Sequence, residues 1–258
     1  WAATQPLCWH NFLALLTATH ESRRTMAPSV GTLIYFNFRA RGEPPRLVAA
    51  YAGLDLTQDI FTMREWGQYK QRMPKGQVPV LSLPDGTLMP EMNDICKHLA
   101  QLPSPAGRQL VVDEAQDHML RVVNGALLDR VAHITNMYPT AHAVAESDSV
   151  RVQATQFLHQ FTALLGAASF FGGAAPGYAE LALWLLVEDC LLVVPDLLDH
   201  LDASFKQWYV RIADLPSLAE FFSSRPQVGD GTYGMPGSIL HSGVPHSDIP
   251  TPGYLQGS

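Results

Sequence analysis

An α/β domain with a mixed sheet, followed by an all-α domain, is the fold class this sequence predicts. Three observations carry it. Over residues 28–102, strand and helix patterns alternate in the order β-α-β, then β-β-α. A Pro-Ser-Pro-Ala-Gly stretch at 103–107 breaks that pattern. From Asp113 to Phe222 the apolar periodicity is almost wholly helical.

Thr32 to Asn37 is β-branched and aromatic, so a strand is expected there. Gly42-Glu43-Pro44-Pro45 follows; prolines suit a first helical turn, whose N–H groups have no intrahelical acceptor. A helix is predicted over Arg46 to Ala52, stopped by Gly53. Leu56 to Phe61 is a second strand and Gln77 to Leu83 a third. Pro84-Asp85-Gly86 turns the chain into a short partner, Thr87 to Met89, and Asn93 to Gln101 is a helix.

In the second half, Met119, Val122, Val123, Ala126 and Leu127 form one apolar stripe. Val152, Thr155, Phe157 and Leu158 begin another. Leu181 to Leu192 is the richest apolar run; it falls short of the roughly 20 residues a membrane span needs and is expected to be a buried helix, with Glu188-Asp189 on an outer face. The expected organisation is an extension over 1–27, an α/β domain over 28–102, a helical domain over 108–226 and a surface tail rich in Gly, Pro and Ser over 227–258. For residues 1–25 two readings stand: a targeting peptide, against which count a short apolar core and no small-residue cleavage site, and the preferred one, an extension upstream of a functional chain that starts at Met26.

Composition narrows the function. Seventeen basic and twenty-four acidic residues give a charge of −7, which argues against nucleic acid or an anionic membrane as partner. The three cysteines are widely separated, so reduced thiols in a cytoplasmic chain are expected, with Cys96 inert. The ten histidines show no metal-ligand spacing, and no metal is expected. Gly172-Gly173 lacks phosphate-loop spacing and is read as a turn.

Tyr35 alone would be read as core. Its setting, Tyr35-Phe36-Asn37-Phe38-Arg39-Ala40-Arg41-Gly42-Glu43, resembles the Y-F-N-x-R-G-R-A-E opening of sigma-class glutathione transferases. Trp66, Lys70 and Met73-Pro74-Lys75-Gly76-Gln77-Val78-Pro79-Val80-Leu81 resemble that family's W-x-x-x-K and P-x-G-Q-x-P-V-L segments. Asp85-Gly86 and Ile95-Cys96-Lys97-His98-Leu99-Ala100 are similar to its D-G and I-x-R-Y-L-A. The resemblance implies a thioredoxin-like N-terminal domain plus an all-α C-terminal domain, glutathione as co-substrate, and a homodimer.

It also implies roles. A thiol with pKa near 8.5 must lose about two units to be a thiolate at neutral pH, roughly 2.7 kcal/mol of preferential stabilisation. By resemblance the Tyr35 hydroxyl supplies part of this as a charge-assisted hydrogen bond, with Arg41 in electrostatic support. Val78 and the cis-proline position Pro79 would pair with the cysteinyl backbone of glutathione. Gln77 is matched beside them, and Trp66 and Lys70 would hold the glycine end. Phe38, Met119, Val122 and Val123 are candidates for lining the site of a hydrophobic electrophile.

Two positions depart from the family. Glu91-Met92 stands where Gln-Ser, or Glu-Ser, receives the γ-glutamyl end at a helix start. Losing the serine hydroxyl costs about 1.5–3 kcal/mol, a 10- to 100-fold weaker affinity. Gly177 replaces the hydroxyl residue of a buried capping box. The implied activity is conjugation of glutathione to hydrophobic electrophiles. The alternatives are a non-catalytic structural or carrier protein of the same fold, as lens crystallins are, or a glutathione-dependent isomerase similar to the prostaglandin D synthases.

Overall fold

The computed structural model describes residues 29–243, so the expectations for residues 1–28 and 244–258, Cys8 and Met26 among them, lie outside the described residues. Four strands, β1 (Gly31–Phe36), β2 (Leu56–Phe61), β3 (Val80–Ser82) and β4 (Leu88–Pro90), form one sheet in the order β2-β1-β3-β4. β1 runs parallel to β2 and antiparallel to β3, and β3 and β4 form a hairpin. The third strand is shorter than expected. Val78-Pro79 is a cis peptide, and a proline nitrogen has no hydrogen to donate, so the ladder begins one residue later, at Val80.

Helix α1 (Glu43–Ala52) carries both prolines in its first turn and ends at Gly53, whose φ of 69° suits glycine. Helix α3 (Met92–Gln101) packs beside it on the sheet face that Leu33 and Leu81 occupy. The opposite face holds a smaller cluster of Ile34, Phe61, Met73 and Val80, covered by Trp66 and Tyr69 from the short helix α2 (Trp66–Lys70), which the sequence reading left unassigned.

The helical domain follows with α4 (Glu114–Val123), α5 (Ala126–Asn136), α6 (Thr140–Leu165), α7 (Tyr178–Val193), α8 (Ala203–Ala213) and α9 (Ala219–Ser224). Helix α7 runs through the centre and is buried almost throughout, in contact with α1, α4, α5 and α6. The stripe expected from Val152 is shifted: Val150, Ala154, Leu158, Phe161 and Leu165 face inward, while Val152 is exposed. Spacings of 3 and 4 keep that face continuous over four turns.

The departure at Gly177 is repaired from another helix. An added Cβ there would lie 2.0 Å from the Gln116 side chain, which is buried and whose Oε1 accepts the Ala179 N–H at 3.2 Å. Gln116 of α4 thus caps α7 in place of the missing hydroxyl, while Glu180 accepts the Gly177 N–H at 2.7 Å.

Two expectations are corrected. Glu188 and Asp189 are buried, not on an outer face. Glu188 pairs with Arg39 and Arg225, and Glu43 with Arg46 at 2.9 Å and Arg225 at 3.5 Å, so a buried ion network joins α1, α7 and the segment after α9. A buried charge survives only with such partners. The segment after 226 is also no surface tail over its described part. Tyr233, Ser238, Ile239 and Leu240 are buried, and a short helix α10 (Ile239–Ser242) packs on α5 and α6. Gly234 N–H donates to the Asn37 carbonyl and Met235 N–H to that of Asn136. Long-range backbone pairing of this kind leaves no trace in local periodicity.

Candidate functional site

A cleft of about 370 Å³ opens at the edge of the sheet where β1 and β4 end and β3 begins. Its wall is built from four stretches: Phe36 at the end of β1 with Arg41 beyond it, Trp66 of α2, Gly76 to Pro79 before β3, and Pro90 to Met92, from the end of β4 to the start of α3. Of the residues singled out in the sequence, Arg41, Trp66, Gln77, Val78, Pro79, Glu91 and Met92 are therefore brought together from positions up to 51 residues apart.

Each part has a local cause. Val78 and Pro79, joined by a cis bond, line the cleft and lie ahead of the β3–β4 ladder, which begins at Val80. Trp66 stands against Phe36 and Phe61, with ring centroids 5.2 and 5.8 Å away, which fixes its ring at the wall. Glu91 has φ 73° and ψ 121°, a conformation non-glycine residues rarely adopt; the turn aims its carboxylate outward to Lys75 Nζ at 3.2 Å. Met92 is 1 % exposed and belongs to the main core. Lys70 is exposed and off the cleft wall; its stem runs beside Gly76, where an added Cβ would lie 3.4 Å from Lys70 Cγ and Cε.

Arg41 is held by a residue that sequence reading missed. Its Nε and Nη2 donate to Asp129 Oδ1 of α5 at 3.0 and 2.6 Å. No sequence signal links two positions 88 residues apart; only docking of the helical domain against the β1–α1 turn does so. Lys75 was also missed, although its place in Met73-Pro74-Lys75-Gly76 was visible.

Tyr35 departs from expectation. It is 5 % exposed and does not line the cleft. The ring lies over the Cα of Gly42, and the phenol oxygen takes the backbone N–H of Arg41. Burial pushes its pKa up to about 12, against the opposing charge of Arg46, so the hydroxyl stays protonated and can act as a donor at neutral pH. The four residues expected to line an electrophile site are not on this cleft. Phe38 is buried behind the β1–α1 turn, stacked on Phe36, and Val123 is fully buried in the core. Met119 and Val122 line a separate cavity of about 290 Å³ between α4 and α6. Cys96 and Cys190 are buried, which drives both thiols up.

No family model matches the chain. It is 25% identical over 201 residues to the hematopoietic prostaglandin D synthase of Gallus gallus, an alignment spanning 76% of this chain and 96% of that protein. A shorter match, 41% identical over 70 residues, joins it to S-crystallin SL20-1 of Nototodarus sloanii and spans 27% of this chain and 32% of the crystallin. In structure it resembles the Pi-class glutathione S-transferase of Onchocerca volvulus with a TM-score of 0.62 and 22% identity, covering 76% of this chain and 93% of that one. The chain is similar to glutathione S-transferases and prostaglandin D synthases in sequence and shares their fold. Rat hPGDS complexed with a quinoline has the same fold, with a TM-score of 0.61 at 23% identity, covering 76% and 97%. The described α/β and helical parts match the architecture that the N-terminal motifs implied.

Proposed function

We propose that the chain binds glutathione in the cleft and transfers its sulfur to a hydrophobic electrophile. The observation that supports this most directly is the convergence of Arg41, Trp66, Val78 and the Glu91–Met92 helix start on one cleft. Those groups suit a tripeptide. The N–H groups of the first turn of α3 would receive the γ-glutamyl carboxylate, and Glu91 its ammonium. Val78 would pair with the cysteinyl backbone. Trp66, with Gln77 nearby and Lys70 at the rim, would hold the glycine end. Arg41 then faces the thiol, and its guanidinium favours the thiolate. In the reaction the thiol loses its proton to water, the sulfur–carbon bond forms, and the electrophile's leaving group departs with its electron pair. The same reading has the protein cytoplasmic and a homodimer, with no nucleic-acid or membrane partner.

A second reading, a non-catalytic carrier or structural protein, is favoured by two observations: Tyr35 is off the cleft wall, and Met92 replaces a hydroxyl. Titration of glutathione by calorimetry, with conjugation of a chlorodinitrobenzene assayed in parallel, decides between them. Binding with turnover that falls in Arg41→Leu supports the transferase. Tight binding without turnover gives the carrier, and no binding at millimolar ligand the structural protein. Turnover of a prostaglandin endoperoxide in place of conjugation would give a glutathione-dependent isomerase.

A further inference from the structure

We propose that Gly42 is a positioning residue that holds the Tyr35 ring in a retracted pose behind the cleft, so that the side chain at position 42 decides whether the phenol reaches a bound thiol. Its functional part rests on the reading of the cleft as a glutathione site.

The backbone gives no reason for glycine here. Gly42 has φ −85° and ψ −22°, which any residue adopts. The contact does. A Cβ on Gly42 would lie 2.2 Å from Tyr35 Cδ1, 2.6 Å from Cγ and 2.8 Å from Cε1, far inside van der Waals separation. The ring therefore fills the space an alanine methyl would need.

An independent observation sits two residues earlier. Ala40 has φ 36°, a region glycine occupies freely and alanine does not. The motif this segment resembles reads G-R-A, whereas this chain reads Ala40-Arg41-Gly42. The small residues are exchanged. Glycine is absent where the turn is strained and present where the ring leans in. An alanine at 42 and this pose of Tyr35 exclude one another.

The ring's other neighbours show which way it would yield. Arg46, 5.9 Å from the ring centre, is fastened to Gln58 at 2.8 Å, to Glu43 at 2.9 Å and to the Phe38 carbonyl at 3.0 Å. Tyr233 also lies against that guanidinium, at 5.6 Å. Phe36, at 5.7 Å, lines the cleft instead. Because Arg46 is fastened on its own side, a ring displaced from Gly42 moves toward Phe36 and the cleft, and Phe36, packed on Phe38, Phe61 and Trp66, has to shift with it. In the native chain the phenol is idle, and Arg41, shared with Asp129, is left as the group that favours the thiolate.

The test reads the pose and its consequence separately. Nitration by tetranitromethane, mapped by mass spectrometry, is compared at Tyr35 and at exposed Tyr138. In the native chain Tyr35 should react at least about tenfold more slowly, because modification needs an accessible phenolate. In Gly42→Ala it should approach the rate of Tyr138. The same variant should raise the thiolate absorbance of bound glutathione and increase kcat by roughly 10- to 100-fold, the range one charge-assisted hydrogen bond supplies, with KM for glutathione little changed. Adding Tyr35→Phe to Gly42→Ala should abolish that gain.

Should Gly42→Ala fold poorly, Ala40→Gly/Gly42→Ala removes the strained alanine and carries the same expectations. Tyr35 nitrated as fast as Tyr138 in the native chain overturns the proposal, as does a folded variant with unchanged nitration and unchanged thiolate absorbance. Failure of glutathione to bind at all overturns the functional reading of the cleft, while the nitration rates still decide the pose.

Discussion

Replacing Met92 by serine sets two effects against each other that act on different equilibria. Met92 is 1 % exposed, packs in the core and opens α3, where its peptide faces the cleft. A serine hydroxyl there offers a carboxylate one more hydrogen bond, about 1.5–3 kcal/mol, or a 10- to 100-fold lower Kd for glutathione. Truncating a buried methionine removes packing worth about 2–5 kcal/mol. In a chain of this size that lowers Tm by roughly 4–20 °C. The packing loss falls on folding of both free and bound protein, whereas the hydrogen bond exists only in the complex. Calorimetry well below the transition should therefore show tighter binding, and a thermal melt should show a less stable protein. Met92→Ala is the control: the same loss of Tm with no gain in affinity. If the serine and alanine variants bind glutathione equally, the γ-glutamyl end is not held at this helix start and the reasoning fails.

Asp129→Asn should lower the pKa of bound glutathione by less than about one unit, because Arg41 loses its counter-charge in a half-exposed setting; thiolate absorbance against pH reads it. Gly177→Ser alone should destabilise by about 1–3 kcal/mol through its clash with Gln116, and Gln116→Ala/Gly177→Ser should recover most of that; additive urea-denaturation losses would refute capping by Gln116. Arg225→Met leaves Glu188 and Glu43 short of a buried cation and should cost about 3–5 kcal/mol; a loss below about 1 kcal/mol would mean the network does not bind the helices together. Burial pushes Glu180 and Asp189 up to about 7, against the three N–H donors on Glu180 and the charge of Arg39 near Asp189. Their folded pKa values lie above the unfolded ones, so the native state binds more protons between about pH 4 and 7. Stability from these groups is complete below that window and lost as pH rises through 7, so Tm should rise on acidification from pH 7.5 to about 5.5; a Tm that falls over that range contradicts the assignment.

Strand, turn and helix identity in the α/β half, and the residues of the cleft, were legible in the sequence because both are local properties. A glycine stop, prolines in a first turn, a Pro-Asp-Gly hairpin and contiguous motifs act within a few residues, and the wall of the cleft is assembled from just such segments. The boundary of β3 was legible less well, since a proline's missing donor matters only once a ladder partner is known.

What the tertiary structure decided lies between segments far apart in the chain. Gln116 standing in for an absent hydroxyl, Asp129 holding Arg41, Glu188 and Asp189 buried among arginines, and the described part of the C-terminal segment folded onto Asn37 and Asn136 all arise from helices docking. The depth of Tyr35 is of the same kind. The letters Tyr35 and Gly42 are plain in the sequence, but whether a ring faces a cleft or rests on a glycine depends on a few tenths of an ångström of packing. Chemistry of that range is set by the fold around a residue and not by its neighbours along the chain.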